Sequence, residues 1–233
     1  MKIKNIFPVL FLAVLIADIC IKTMYDDISS IRFVSKISLS VLLITYYMLY
    51  HRESVVIKKL FMLLALSFFL IGDVFFVLYK IELYYIYGIF SFAIGKLFYV
   101  FRFSNQEDFK LRQLLPVIVF CFGIMMLIFQ LIYDNLNNFF FPVLIYLFAV
   151  ALFIIFAFLR KNLVNKKSFY LVSIGVFLSI FSDSISALNS FTSNDIPFHE
   201  IGVMLFYGLS QLLIVMGIVE ENVLHENQTE GIQ

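Results

Sequence analysis

Eight continuous apolar runs, each near the ~20 residues a helix needs to cross a bilayer core, follow one another at 6–22, 33–50, 60–79, 83–103, 114–133, 139–159, 169–191 and 200–219. A chain in lipid must satisfy its backbone polar groups internally, which leaves helices or closed barrels. Barrel strands would alternate in character over ~10-residue segments, and these runs do not alternate. With 62% hydrophobic and 14% charged residues and a mean hydropathy of +0.98, little sequence is left for a soluble domain. The expected architecture is an all-α, polytopic membrane bundle of eight transmembrane helices over residues 1–221. A short polar cytoplasmic tail is expected at 222–233.

Basic residues favour cytoplasmic loops. With the N-terminus inside, 12 Lys and Arg residues fall on the inner side and 3 on the outer, while Lys36 and Lys96 remain within spans. Both termini are therefore expected to be cytoplasmic, in a bacterial inner (cell) membrane. The first run follows Lys2 and Lys4 as a signal peptide would, but no small-x-small cleavage site closes it, so it reads as an uncleaved span. Cys20 and Cys121 stand alone, without metal or redox spacing. The net charge of +1 follows from topology and gives no reason to expect a nucleic-acid partner.

Asp73 and Asp183 lie deep in the third and seventh runs, where an ionisable group costs ~2.5 to 3.5 kcal/mol or more. Such residues usually serve a function. Ile71-Gly72-Asp73 and Phe181-Ser182-Asp183 are 110 residues apart, the same shift takes Lys36 to Tyr146, and a shift of 115 takes Lys96 to Gln211. This suggests two parallel four-helix repeats whose polar residues converge between the halves. At ~1.5 Å per residue, both aspartates lie ~20 Å above the inner ends of their spans, whereas Lys96 counts out ~10 Å deeper. Lys36 lies near its outer end, within reach of the site or the headgroups. Gly175, Ser179, Asp183, Ser186 and Ser190 share one helical stripe, which could be a packing face or a polar cavity wall. Tyr207 shares a face with Gln211, as Lys96 does with Tyr99.

Several intramembrane chemistries lack their parts. His51, His199 and His225 lie in loops or at span ends, so neither a zinc site nor a Ser-His pair is expected within the bilayer. The Tyr-Asp and Gly-x-Gly-Asp motifs of intramembrane aspartyl proteases are absent, as is a Gly-rich phosphate loop. Two buried acids near lysines suit acid–base work, one donating a proton while the other stays ionised. The same residues also fit an Asp–Lys pair that locks helices, or a non-enzymatic transporter or lipid-binding protein. No metal or cofactor is expected.

The segments Leu70-Ile71-Gly72-Asp73-Val74-Phe75, Gly88 through Lys96-Leu97-Phe98-Tyr99, Phe181-Ser182-Asp183-Ser184 and Tyr207-Gly208-Leu209-Ser210-Gln211 resemble, in order, the signatures of the YhhN family of integral membrane proteins. That family includes lysoplasmalogenases. Its pattern carries Lys-Pro in the second span, where Lys36-Ile37 stands here, and His in the fourth, where Lys96 stands. The resemblance implies hydrolysis of the vinyl ether bond of a lysoplasmalogen, with a lysophospholipid substrate drawn from the membrane lipids. It implies Asp73 and Asp183 as catalytic residues. Lys36, Lys96, Tyr99, Tyr146, Ser182, Tyr207 and Gln211 would orient them or bind substrate.

Overall fold

The computed structural model describes residues 2–24, 30–104, 111–192 and 197–222. Among these, eight α-helices and no strand are found: α1 Lys2–Met24, α2 Ser30–Tyr50, α3 Val56–Val77, α4 Glu82–Phe103, α5 Leu111–Ile132, α6 Phe140–Leu159, α7 Lys166–Phe191 and α8 His199–Val219. Among the described residues, seven of them are long and apolar enough to cross a membrane: α1 to α4 and α6 to α8. Helix α5, Leu111–Ile132, is 22 residues long. Several helices begin before their apolar runs, as at Lys2, Val56 and Lys166, because backbone hydrogen bonding does not stop where hydrocarbon does. Most of the expected tail, 223–233, lies outside the described residues; Asn222 is docked, its backbone N–H donating to Asn165 Oδ1 at 2.9 Å.

The most extensive helix pairs are α3 with α4 and α7 with α8, while α1 and α2 pack on α8 and α5 packs on α6 and α7. Glycines permit these approaches. A Cβ at Gly175 would stand 2.9 Å from the Ser210 carbonyl oxygen, and one at Gly217 would stand 3.1 Å from that of Ser168. Such contacts let membrane helices pack backbone to backbone, where van der Waals contact is the main driving force. Phe11, Tyr46, Tyr47, Met62, Tyr99, Phe153 and Ile214 fill the common core. Val9, Val34, Val56, Phe148 and Phe181 point outward, as a lipid-bathed surface requires.

The two ends of the bundle differ. One end gathers the close of α1, α3 and α7 with the start of α2, α4 and α8, tied by Lys22 to Glu200 at 3.0 Å and by the Tyr85 hydroxyl donating to Ser190 at 3.0 Å. At the opposite, basic end, Arg102 at the close of α4 pairs with Glu53 and, at 3.0 Å, with Glu221. Arg160, after α6, reaches Glu221 at 2.8 Å and Ser168 at 2.8 Å. Arg102 and Arg160 are 3% and 1% exposed, so the network is internal.

Candidate functional site

A cavity of ≈ 310 Å³ opens at the end opposite the buried Arg–Glu network. Asp73 and Asp183 both line it, along with Lys36, Tyr146, Ser182 and Tyr207. Lys22, Arg32, His199 and Glu200 add a polar rim, whereas Ile89, Met125, Ile128, Val143, Leu147 and Val150 make the lining apolar toward α4, α5 and α6. This is an amphipathic pocket of the kind that holds a chain with a polar head.

Asp73 is 3% exposed. Its Oδ2 accepts hydrogen bonds from the Ser40 hydroxyl of α2 at 2.9 Å and the Tyr207 hydroxyl of α8 at 3.1 Å, and Lys36 Nζ stands 3.9 Å from Oδ1. The preceding Gly72 is needed for this arrangement, because a Cβ there would overlap the Phe92 ring. Phe92 in turn stacks on Tyr207, centroids 5.4 Å apart. A methyl group at Gly72 would push this stack, and with it the hydroxyl that binds Asp73.

Asp183 has a different setting, with its side chain 21% exposed. Lys96 Nζ donates to its Oδ2 at 3.0 Å and to Ser179 Oγ at 2.6 Å. Lys96 is itself 2% exposed and lies against the rings of Tyr146 and Phe153 at 5.4 and 5.2 Å. The depth expected from the sequence left Lys96 well below Asp183. The gap closes because side chains lean toward the N-terminus of their helix: α4 starts at the cavity end, so Lys96 reaches toward it, while Asp183 on the oppositely directed α7 leans down.

Lys36 faces inward, with its side chain 12% exposed, and its Nζ rests over the Tyr207 ring at 5.4 Å. Ser182 lines the cavity, but its hydroxyl donates to the Val203 carbonyl at 2.9 Å and fastens α7 to α8. Tyr99 and Gln211 lie away from the cavity lining and meet each other, the Tyr99 hydroxyl donating to Gln211 Oε1 at 2.9 Å. The serine stripe of α7 divides: Gly175 packs on α8, Ser179 holds Lys96, and Ser186 and Ser190 line the cavity.

Two sets of charges were not singled out in the sequence. Asp18 in α1 is 1% exposed and pairs with Arg32 at 2.7 Å, although Arg32 counts in the sequence as an outer-loop cation. An acid inside the first apolar run was the available signal, the same one that marks Asp73. The Arg102, Arg160, Glu53 and Glu221 network was hidden because basic residues at span ends are already explained by topology. Its signal was the two acids at the matching ends of neighbouring spans. Among the described residues, no three His, Cys, Asp or Glu side chains gather as metal ligands would.

No curated protein and no solved structure matches the chain. The sequence pattern of the YhhN family matches residues 31–218, which include Asp73, Asp183 and the partners of both carboxylates, and the chain belongs to that family.

Proposed function

We propose that the protein is a membrane-embedded hydrolase that cleaves the vinyl ether bond of lysoplasmalogen-type lysolipids, using Asp73 and Asp183 for acid–base catalysis. The observation that carries this reading is one amphipathic cavity lined by both carboxylates, each with a lysine within 4 Å and hydroxyl-bearing neighbours. Vinyl ether cleavage begins with protonation of the outer alkene carbon, which leaves an oxocarbenium ion. Water adds to that ion and loses a proton to a base; the hemiacetal then collapses to a fatty aldehyde and a glycerophospho-alcohol.

Asp183, hydrogen-bonded directly to Lys96, suits the carboxylate that faces the cation and takes the proton from water. Asp73 suits the donor, because its lysine stands beyond hydrogen-bond range at 3.9 Å. The apolar lining toward α5 and α6 gives the single chain a place. Lys96 stands where the family carries His, and its contact with Asp183 supports a shared positioning role. Lys96→His is expected to preserve or raise vinyl ether cleavage, whereas Lys96→Met should lower it about 10-fold or more. Equal rates for the two variants would remove Lys96 from the mechanism.

All eight helices are read as spans, with both termini cytoplasmic in a bacterial inner membrane. The basic end is then inside and the cavity opens outward. Reporter fusions should place the 160–167 connection in the cytoplasm; an external reporter there would reverse the orientation. The geometry also favours a two-fold relation between the halves. Asp73 on α3 is served from α2 and α8, and Asp183 on α7 by Lys96 of α4, with Tyr146 of α6 within its reach. Lys36 and Tyr146 are then counterparts, and the counterpart of Lys96 is Tyr207 rather than Gln211. The alternative is a non-enzymatic carrier or lipid-binding protein that uses the same acids and lysines. Product analysis on purified protein separates the two readings: a hydrolase releases aldehyde, and a carrier shows uptake in proteoliposomes without release.

A further inference from the structure

Asp18 lies outside the segment that matches the family and does not line the cavity. Its Oδ1 accepts hydrogen bonds from Arg32 Nη1 at 2.7 Å and the Ser35 hydroxyl at 2.6 Å. Its Oδ2 is buried without a hydrogen-bond partner among the described residues and lies 3.9 Å from Lys36 Nζ. That ammonium stands at the same 3.9 Å from Asp73 Oδ1. Lys36 is thus suspended between two carboxylates, close enough for Coulomb attraction to both and beyond the ~2.7 to 3.2 Å of a hydrogen bond to either. Lys96, with one carboxylate to serve, closes to 3.0 Å.

We propose that Asp18 is a positioning residue that draws Lys36 away from Asp73, so that Asp73 is not locked as an ion-paired carboxylate and can hold and deliver a proton. The inference rests on the hydrolase reading above. Arg32 and Ser35 anchor one oxygen of Asp18, which fixes the second toward Lys36. An acid at this site costs desolvation unless it is paired, and Arg32 meets that need without Lys36. Lys36 therefore divides its charge, and the division sets how strongly Asp73 is held as an anion. Among the described residues, the charged and titratable groups around this pair include Asp18 and Lys22 from α1, Arg32 and Lys36 from α2, Tyr79 after α3, and His199, Glu200 and Tyr207 from α8. Helix α4 packs on α3 but presents Lys96 to Asp183.

The test is the pH dependence of kcat and KM for vinyl ether cleavage by the full-length protein, its Asp18→Asn and Asp18→Glu variants, and Asp18→Asn combined with Arg32→Gln. The double variant removes the buried pair together and strands no guanidinium. With Asp18 neutral, Lys36 settles on Asp73, the proton leaves more readily, and the alkaline limb of kcat moves about one unit to lower pH. At neutral pH kcat of Asp18→Asn falls about 10-fold, with its KM changed less than about 2-fold because Asp18 touches no substrate; Arg32 lines the cavity, so the double variant is read by its pH profile alone. Asp18→Glu restores the limb. An unmoved limb in both asparagine variants, or a loss of kcat without a change in profile, overturns the proposal. If the unaltered protein cleaves no vinyl ether, the hydrolase reading fails by itself. The infrared band of the protonated Asp73 carboxyl, identified by its loss in Asp73→Asn, then decides: it should titrate at lower pH in Asp18→Asn, and an unchanged titration overturns the proposal.

Discussion

Replacing Asp73 or Asp183 with asparagine is expected to lower vinyl ether cleavage by about 100-fold or more, the lower end of what a positioned acid or base contributes, while the protein should still accumulate folded in membranes. Asparagine preserves the shape of the carboxylate, so the Ser40 and Tyr207 hydroxyls at position 73 still find an acceptor oxygen. It cannot give or take a proton. The variants should differ in their partial reactions: in the proposed mechanism Asp73→Asn removes the donor for carbon protonation, and Asp183→Asn removes the group that faces the cation and its attacking water. Each change leaves a lysine with less counter-charge, Lys36 with Asp18 nearby and Lys96 with Ser179. Asp183→Asn should therefore lower thermal stability more. Retained cleavage in both variants sinks the acid–base mechanism; loss of folding in both points to ion pairs that serve only to lock helices.

The second large effect belongs to the basic end. Glu221→Gln removes the carboxylate shared by Arg102 and Arg160, two guanidinium groups at 3% and 1% exposure. Removing one partner of a buried pair costs about 3 to 5 kcal/mol, since a charge is left in a medium that cannot solvate it. Thermal unfolding in detergent should show this loss, and a change within the error of the melt would mean that water reaches the network. The same group makes stability depend on pH. Burial raises the Glu221 pKa, but Arg102 and Arg160 outweigh burial and hold it below the ordinary glutamate range. A depressed folded-state value means that this stabilisation is complete above the unfolded-state pKa and is lost as pH falls through the folded value. The unaltered protein should thus lose stability on acidification below the ordinary glutamate range, and Glu221→Gln should lose less over the same interval.

Apolar runs and basic flanks made the helices legible, because the bilayer requirement acts on each segment by itself. The aspartates at 73 and 183 were legible for the same reason: a charge in an apolar run is conspicuous alone. What depended on partners was less visible. Lys96 was placed too deep because counting residues ignores the lean of side chains toward the helix N-terminus. Tyr99 and Gln211 fell on plausible faces, but only the three-dimensional arrangement of α4 and α8 brings the Tyr99 hydroxyl to Gln211. Asp18 was passed over although it met the criterion applied to Asp73. Arg102 and Arg160 were counted as topology signals, which basic residues at span ends satisfy whether they face water or a buried glutamate.

The most direct test of the central claim is to incubate purified protein in D₂O with vinyl ether, saturated ether and ester lysolipids that are otherwise alike, and to identify the products by mass spectrometry. Proton delivery to carbon predicts a fatty aldehyde from the vinyl ether substrate alone, carrying one deuterium on the carbon next to the carbonyl, with Asp73→Asn and Asp183→Asn forming at most about 1% as much. Fatty acid released from the ester, or aldehyde formed equally well by the aspartate variants, would contradict it.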